Sequence, residues 1–269
     1  MSVQSSPSDF TDLAQRLADA ARAQTLPRFR AGAMAENKSA DGYDPVTQAD
    51  REAERVMRAL IKDAYPAHGI IGEEFGAEDD GAAERWVLDP VDGTRAFVAG
   101  VPTWTTLIAL EAGAAPILGV IDQPYTDEQW IGVEGQTQFV RGGEARLANT
   151  SACTALHEAR LSTTDPRVGE IFDEPQAAAF ARVSSEARLA RFSLDAYAYA
   201  LLSIGELDLV IESGLQHYDY AALIPVVKGA GGVITDWRGE PVGSDESGQT
   251  LAAATPQLHQ AALQRLNQS

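Results

Sequence analysis

The sequence predicts a two-lobed α/β protein of layered sheets and helices, and three observations carry that expectation. Two amphipathic helical stripes near the N-terminus lead into a succession of short strand-like runs separated by turn residues. From about residue 155 the pattern changes to strands alternating with helices. The composition is that of a globular chain, with 45% apolar and 22% charged residues in a length of 269 that can bury a sizeable core. That length slightly exceeds the roughly 250 residues at which single cores stop growing, so one compact unit of two lobes is expected. The lobes are read as 1–150 and 151–269, with the change near residues 145–158. No internal repeat or low-complexity tract interrupts the pattern.

The elements follow in order. A first helix is expected after Ser8 as its cap, with Leu13, Leu17, Ala20 and Ala21 at helical spacing, ending near Leu26 ahead of Pro27. A second carries the stripe Ala53, Val56, Met57, Leu60, Ile61 and Ala64, with Pro66 beyond its end. Strands are then expected at 69–71, 85–88, 105–110, 116–121, 129–133 and 138–141. In the second lobe strands fall at 159–162, 188–192, 207–212 and 233–235, and helices at 174–184, 195–204, 219–229 and 256–266.

Charge and composition exclude several classes of function. With 21 Lys and Arg against 39 Asp and Glu the net charge is −18, and no basic block is present, which argues against nucleic acid and in favour of cations as partners. No apolar run approaches the roughly 18 residues of a membrane span, and the start MSVQSSPSDF lacks the layout of a signal peptide. Cys153, the sole cysteine, forms no internal disulfide. A cytoplasmic protein without membrane or nucleic-acid partners is the expectation.

Acidic residues stand at the ends of elements. In RWVLDPVDGTRAF the strand is expected to end at Leu88 and to deliver Asp89 and Asp92 around Pro90. Pro90 lacks an N–H, so pairing should stop there and leave the Val91 carbonyl free to accept a cation. Gly93 allows close backbone approach, and a helix opening at Thr94 would offer free N–H groups to a phosphate. Glu73 and Glu74 follow the strand at 69–71, Asp50 opens the second helix after Asp44-Pro45-Val46-Thr47, and Asp219 opens another after His217 and Tyr218. Taken singly, each has a plainer reading: a structural Asp-Pro turn, a solvated Glu pair, two helix caps. Together they are harder to dismiss. Carboxylates about 4 Å apart repel by roughly 4 kcal/mol per pair at an effective dielectric near 20, so such a cluster calls for a cation. Oxygen-only donors favour Mg²⁺, Mn²⁺ or Ca²⁺, and the lack of an EF-hand loop weakens Ca²⁺.

The strings DPVTQAD (44–50), IIGEE (70–74), DPVDGT (89–94) and HYDYAALIPVVKGAGG (217–232) together resemble the inositol monophosphatase superfamily of magnesium-dependent phosphatases. They span most of the chain and depart at Tyr218, where that superfamily usually has Trp. The resemblance implies a layered α-β-α-β-α sandwich of the inositol monophosphatase and fructose-1,6-bisphosphatase type, and a homodimer. It implies metal ligands at Glu73, Asp89, the Val91 carbonyl, Asp92 and Asp219, holding two or three Mg²⁺ ions with Mn²⁺ as a possible substitute. Phosphate would sit on Gly93 and Thr94. Asp50 and Thr94 would orient and deprotonate a metal-activated water, supported by Glu74. The expected reaction is direct in-line hydrolysis of a small phosphorylated metabolite, without a phosphoenzyme.

The stretch GTRAFVAGVPTWTTLIAL (93–110) resembles the histidinol-phosphate phosphatase branch, since inositol enzymes usually carry Thr or Ser at the position of Arg95. Histidinol phosphate bears an ammonium and an imidazole, and Asp195 and Glu212 are the candidate acids to face them. The branch usually has Gly-Gly-Asp-Cys near Asp195, where this chain reads Phe192-Ser193-Leu194-Asp195-Ala196. Asp195 either meets substrate or caps the helix that follows. The offset of seven positions from Glu212 to Asp219 matches the superfamily's spacing between a substrate-contacting Glu and the last ligand. Arg95 either binds substrate or pairs with a surface acid, while Trp104 reads as core and His217 as structural. The alternatives are an inositol-1-monophosphatase, a sugar or nucleotide 3′-phosphatase of the same fold, and a non-catalytic metal or small-molecule binder. An aspartyl-phosphate route would want Asp-x-Asp, where Asp89 and Asp92 give Asp-x-x-Asp. No Gly-x-Ser-x-Gly elbow occurs, and GAGG (229–232) reads as a helix-ending turn.

Overall fold

In the computed structural model, residues 7–31, 36–37, 45–79 and 81–268 are described. Asp44 and the first six residues lie outside them. The first helix, α1 (Pro7–Thr25), is followed by a 3-10 turn that takes in Pro27, and a short pair of strands, β1 (Glu36–Asn37) and β2 (Pro45–Val46), precedes α2 (Gln48–Ala64). Eight strands form the first sheet: β3 (Gly69–Gly72), β4 (Gly76–Glu78), β5 (Glu84–Asp92), β6 (Thr105–Ala112), β7 (Ala115–Gln123), β8 (Glu128–Val133), β9 (Gln136–Arg141) and β10 (Glu144–Leu147). Their spatial order is β10-β9-β8-β7-β6-β5-β3-β4, antiparallel except for the parallel pair β3–β5. A short helix, α3 (Thr94–Ala99), leaves the end of β5.

The second sheet has the order β12-β11-β13-β15-β14, built from β11 (Arg160–Thr163), β12 (Leu189–Phe192), β13 (Leu209–Glu212), β14 (Val233–Thr235) and β15 (Thr250–Ala253). Its helices are α4 (Glu174–Ser184), α5 (Tyr197–Ser203), α6 (His217–Tyr220), α7 (Leu223–Gly229) and α8 (Pro256–Leu266). The single helix expected at 219–229 is thus two, broken between Tyr220 and Leu223.

Strand alternation assigns each side chain to a layer. On β5, Trp86 and Leu88 pack against Leu13 and Leu17 of α1 and Met57 and Ile61 of α2, whereas Val87 faces Tyr199 of α5 and Val226 of α7. On β13, Val210 joins that same middle layer, while Leu209 and Ile211 face Phe180 of α4 and Leu258 of α8. Helices, sheet, helices, sheet, helices is the resulting stack, the sandwich the resemblance implied. Trp104 is fully buried against Phe29 and Phe97, a core residue as expected. The middle layer brings the C-terminal ends of β5 and β13 together, and there the acids meet.

Candidate active site

β5 does not stop at Leu88. Asp89 pairs with Leu107 and Asp92 with Thr105, and the register shifts between them, so Pro90 and Val91 form a bulge inside a continuing strand. The expected end of pairing is corrected to a bulge because Pro90, lacking an N–H, sits where the ladder needs none. Asp89 Oδ1 accepts the Val91 N–H at 3.0 Å, which holds the bulge closed. Asp92 Oδ2 accepts the Ala196 N–H, at the cap of α5, at 2.7 Å. Gly93 follows at φ 79° and caps α3; a Cβ there would lie 3.0 Å from Asp195 Oδ2.

Asp50 and Asp219 hold matching positions. Neither opens its helix as expected: Thr47 caps α2 and Gln216 caps α6, and each acid is the third residue of a capping box. Asp50 Oδ2 accepts the Thr47 N–H at 3.0 Å, and Asp219 Oδ2 accepts the Gln216 N–H at 2.7 Å. One oxygen is tied to the cap, which fixes where the other points. Asp50 Oδ1 lies 3.4 Å from Thr94 Oγ1, whose hydroxyl is also 3.0 Å from the Val91 carbonyl. Asp50 is fully buried and does not line the cavity, whereas Thr94 does.

Asp89, Asp92 and Asp219 each offer an oxygen within 4.8 Å of the others, and Glu73 is hydrogen-bonded to Asp89. Those four and Val91 line a cavity of about 350 Å³. Glu74 does not line it; its carboxylate stands 4.0 Å from Arg51 Nε behind the wall. The opposite wall comes from Thr164, Glu170, Asp195 and Glu212. Asp195 has φ 50° and no capping role, because α5 opens beyond it with Ala196 at the cap position. Glu212 accepts the Thr164 N–H at 2.7 Å, the Thr164 hydroxyl at 3.0 Å and the Thr163 hydroxyl at 3.2 Å. Arg95, the one cation among the described residues of the lining, meets Glu170 Oε2 at 3.0 Å. His217 lies outside the cavity and bonds Glu111 through Nε2 at 2.7 Å.

Burial and mutual repulsion raise these acids together. Desolvation is the largest cause throughout. Asp89 and Asp92 are pushed well above the carboxylate range by burial, Asp89 next by Glu73 and Asp92 next by Asp195. Asp219 is raised to about 7 by burial, against the Gln216 N–H that lowers it. Glu212 is raised to about 8 by burial despite its threonine donors, and Asp195 and Asp50 to about 6. A site in this condition takes up either protons or cations. The donor atoms are all oxygen, converge from β5, α6 and the turn after β3, and among the described residues face no other cation than Arg95, which fits a hard divalent ion.

The inositol monophosphatase family matches residues 6–269. The chain belongs to that family. It is 43% identical over 235 residues to the chloroplastic bifunctional phosphatase IMPL2 of Arabidopsis thaliana, a match covering 84% of this chain and 66% of that protein. It is 34% identical to a histidinol-phosphatase of Streptomyces coelicolor over 97% of this chain and 98% of the relative. Among solved structures, an inositol monophosphatase from Zymomonas mobilis superposes with a TM-score of 0.86 at 41% identity, over 98% of this chain and all of the other. The protein is therefore an inositol monophosphatase-family phosphatase, a family that depends on metal, with a small phosphorylated substrate. Among the described residues no helix is long and apolar enough to cross a membrane.

For this family member, sequence reasoning missed Thr164 and Glu170, which line the cavity, and Glu54, a fully buried acid behind Glu73. The spacing of Glu54 from Asp50 on one helix face was the available signal.

Proposed function

We propose that this phosphatase hydrolyses a monoester whose alcohol is cationic, L-histidinol phosphate being the best fit. One observation carries the reading: after Glu73, Asp89, Asp92 and Asp219 are assigned to metal and Glu170 to Arg95, Asp195 and Glu212 remain as two acids that form no ion pair among the described residues of the lining, although Arg95 lies near enough to Asp195 to lower its pKa. Two positive groups on the substrate, an ammonium and an imidazolium, match two carboxylates in a desolvated wall. The relatives named histidinol-phosphatase support the same choice. An inositol-1-monophosphatase is the second reading, favoured by the Zymomonas mobilis structure.

Glu73, Asp89, the Val91 carbonyl, Asp92 and Asp219 would hold Mg²⁺, with Mn²⁺ able to substitute. When bound, such ions neutralise phosphoryl oxygens and lower the pKa of an attacking water. The chain's own residues supply the remainder. Thr94, 3.4 Å from Asp50, would pass its hydroxyl proton to that carboxylate as its oxygen accepts the water's proton, so that Asp50, raised to about 6, ends protonated. If the Val91 carbonyl turns to an ion, the Thr94 hydroxyl loses its 3.0 Å partner and Asp50 becomes its acceptor. Gly93 brings its backbone close to the phosphate, Arg95 guards the mouth, and Glu74 braces Glu73. Residues 1–150 carry most of this donor set and residues 151–269 its last ligand and the recognition acids. A homodimer acting in the cytoplasm completes the proposal.

The test is Mg²⁺-dependent phosphate release from L-histidinol phosphate, inositol 1-phosphate and adenosine 3′,5′-bisphosphate side by side. The expected kcat/KM for histidinol phosphate exceeds the others by about tenfold or more, roughly the 1.4 kcal/mol of one well-placed charge contact. A preference for either of the other two esters overturns the substrate choice.

A further inference from the structure

Glu54 has no role in the reaction as read so far. It lies on α2, is fully buried and does not line the cavity. Yet both its oxygens are in use: Oε2 accepts the Glu74 N–H at 2.7 Å, and Oε1 accepts the Phe75 N–H at 3.2 Å and Arg58 Nε at 2.7 Å. Arg58 also donates to the Gly76 carbonyl, so one ion pair grips both sides of the turn between β3 and β4. The fit is tight. A Cβ on Gly72 would fall 2.0 Å from Glu54 Oε1, and the Glu73 N–H is held by the Leu88 carbonyl of β5 at 3.2 Å. Every backbone N–H from Glu73 to Phe75 is therefore anchored, the first on β5 beside Asp89 and the next two on Glu54.

A buried ion pair is weak as a source of stability, because desolvating it costs about what the attraction returns. Its value here is placement. We infer that Glu54 is a positioning residue for Glu73: it sets the turn so that the Glu73 carboxylate faces Asp89 within the cation-binding set, while touching neither ion nor substrate. The inference rests on Glu73 being a metal ligand. Outer partners of metal ligands are typically worth about 10- to 100-fold in metal affinity, and Glu54 falls in that class although it acts through backbone N–H groups.

The experiment titrates Mn²⁺ into chelator-treated protein by calorimetry for wild type, Glu54→Gln and Glu78→Ala, alongside the Mg²⁺ dependence of phosphate release and a melting curve. Glu78 is an exposed partner of Lys62 and Arg58 at the same turn and serves as the control. Glu54→Gln is expected to bind Mn²⁺ about 10- to 100-fold more weakly and to raise half-saturating Mg²⁺ by the same factor. Its kcat at saturating Mg²⁺ should stay within about threefold of wild type, and Glu78→Ala should match wild type throughout. Should Glu54→Gln fail to fold, Glu54→Asp keeps the charge, shortens the reach by one methylene and is read by the same split. A variant that melts lower yet binds Mn²⁺ with wild-type affinity overturns the inference alone. Wild type that binds no Mn²⁺ removes the metal reading and the inference with it.

Discussion

The two walls of the cavity are both acidic, but they are acidic in different ways. On the metal-facing wall, Asp89, Asp92 and Asp219 point oxygens at one another across no more than 4.8 Å, and the described residues place no cation between them. On the opposite wall, Glu212 is surrounded by donors from Thr163 and Thr164, and Glu170 is met by Arg95. The difference teaches which wall is unfinished. Carboxylates left in mutual repulsion need an external ion, whereas carboxylates supplied with hydrogen bonds can wait, protonated or not, for a cationic substrate. On this view the first wall carries chemistry and the second carries choice.

The comparison breaks most visibly at Asp92. Asp92→Asn is expected to lower kcat by at least about 100-fold, the equivalent of roughly 2.7 kcal/mol of transition-state stabilisation, with every ester tested. A rate within a few-fold of wild type would mean that the first wall does not carry the chemistry. Asp195→Asn sharpens the contrast from the other side. It keeps the shape pressed against Gly93 and should raise KM for histidinol phosphate about tenfold, roughly 1.4 kcal/mol, while leaving inositol 1-phosphate within about twofold. Equal losses on both esters would erase the division between walls.

Protons offer a third approach. Asp195 is raised to about 6, Asp219 to about 7 and Glu212 to about 8, above their values in the unfolded chain, so the folded protein binds more protons between those limits. Stability in chelator is then fullest near pH 4 and is lost as pH rises through about 6 to 8. A melting temperature that falls by roughly 5 °C across that window without metal, and by less with Mn²⁺, is the expected result. A flat profile in chelator would show that the repulsion is already relieved. The smallest effect belongs to Arg95→Ala: its ion pair with Glu170 is largely exposed, so a change in kcat/KM of about threefold or less is expected, measured with histidinol phosphate.

How much of this was readable without coordinates depends on how far apart the interacting atoms lie in sequence. DPVDGT could be read because its acids, its turn-forming Pro90 and its Gly93 are neighbours, and the family resemblance follows from such strings. The layered fold was legible for the same reason, since the stripe from Ala53 to Ala64 and the strand runs are local patterns. β15, four residues of sequence TLAA, offered no strand signal and is defined by its pairing with Leu209 to Glu212 on one side and Val233 to Thr235 on the other. The capping roles of Thr47 and Gln216 were hidden by acids that themselves look like caps. For Glu54 only its spacing from Asp50 on α2 was readable, because its partners at Glu74 and Phe75 are backbone N–H groups about twenty residues away, which leave no trace in residue type.

The central claim is that Asp89, Asp92 and Asp219 converge to hold divalent cations. Its most direct test is a crystal of this protein grown with Mn²⁺ and measured at the manganese absorption edge. The account predicts anomalous density among Asp89, Asp92 and Asp219, within roughly 2.2 Å of their oxygens. A map from enzyme active in the same solution, with no such density there, would contradict it.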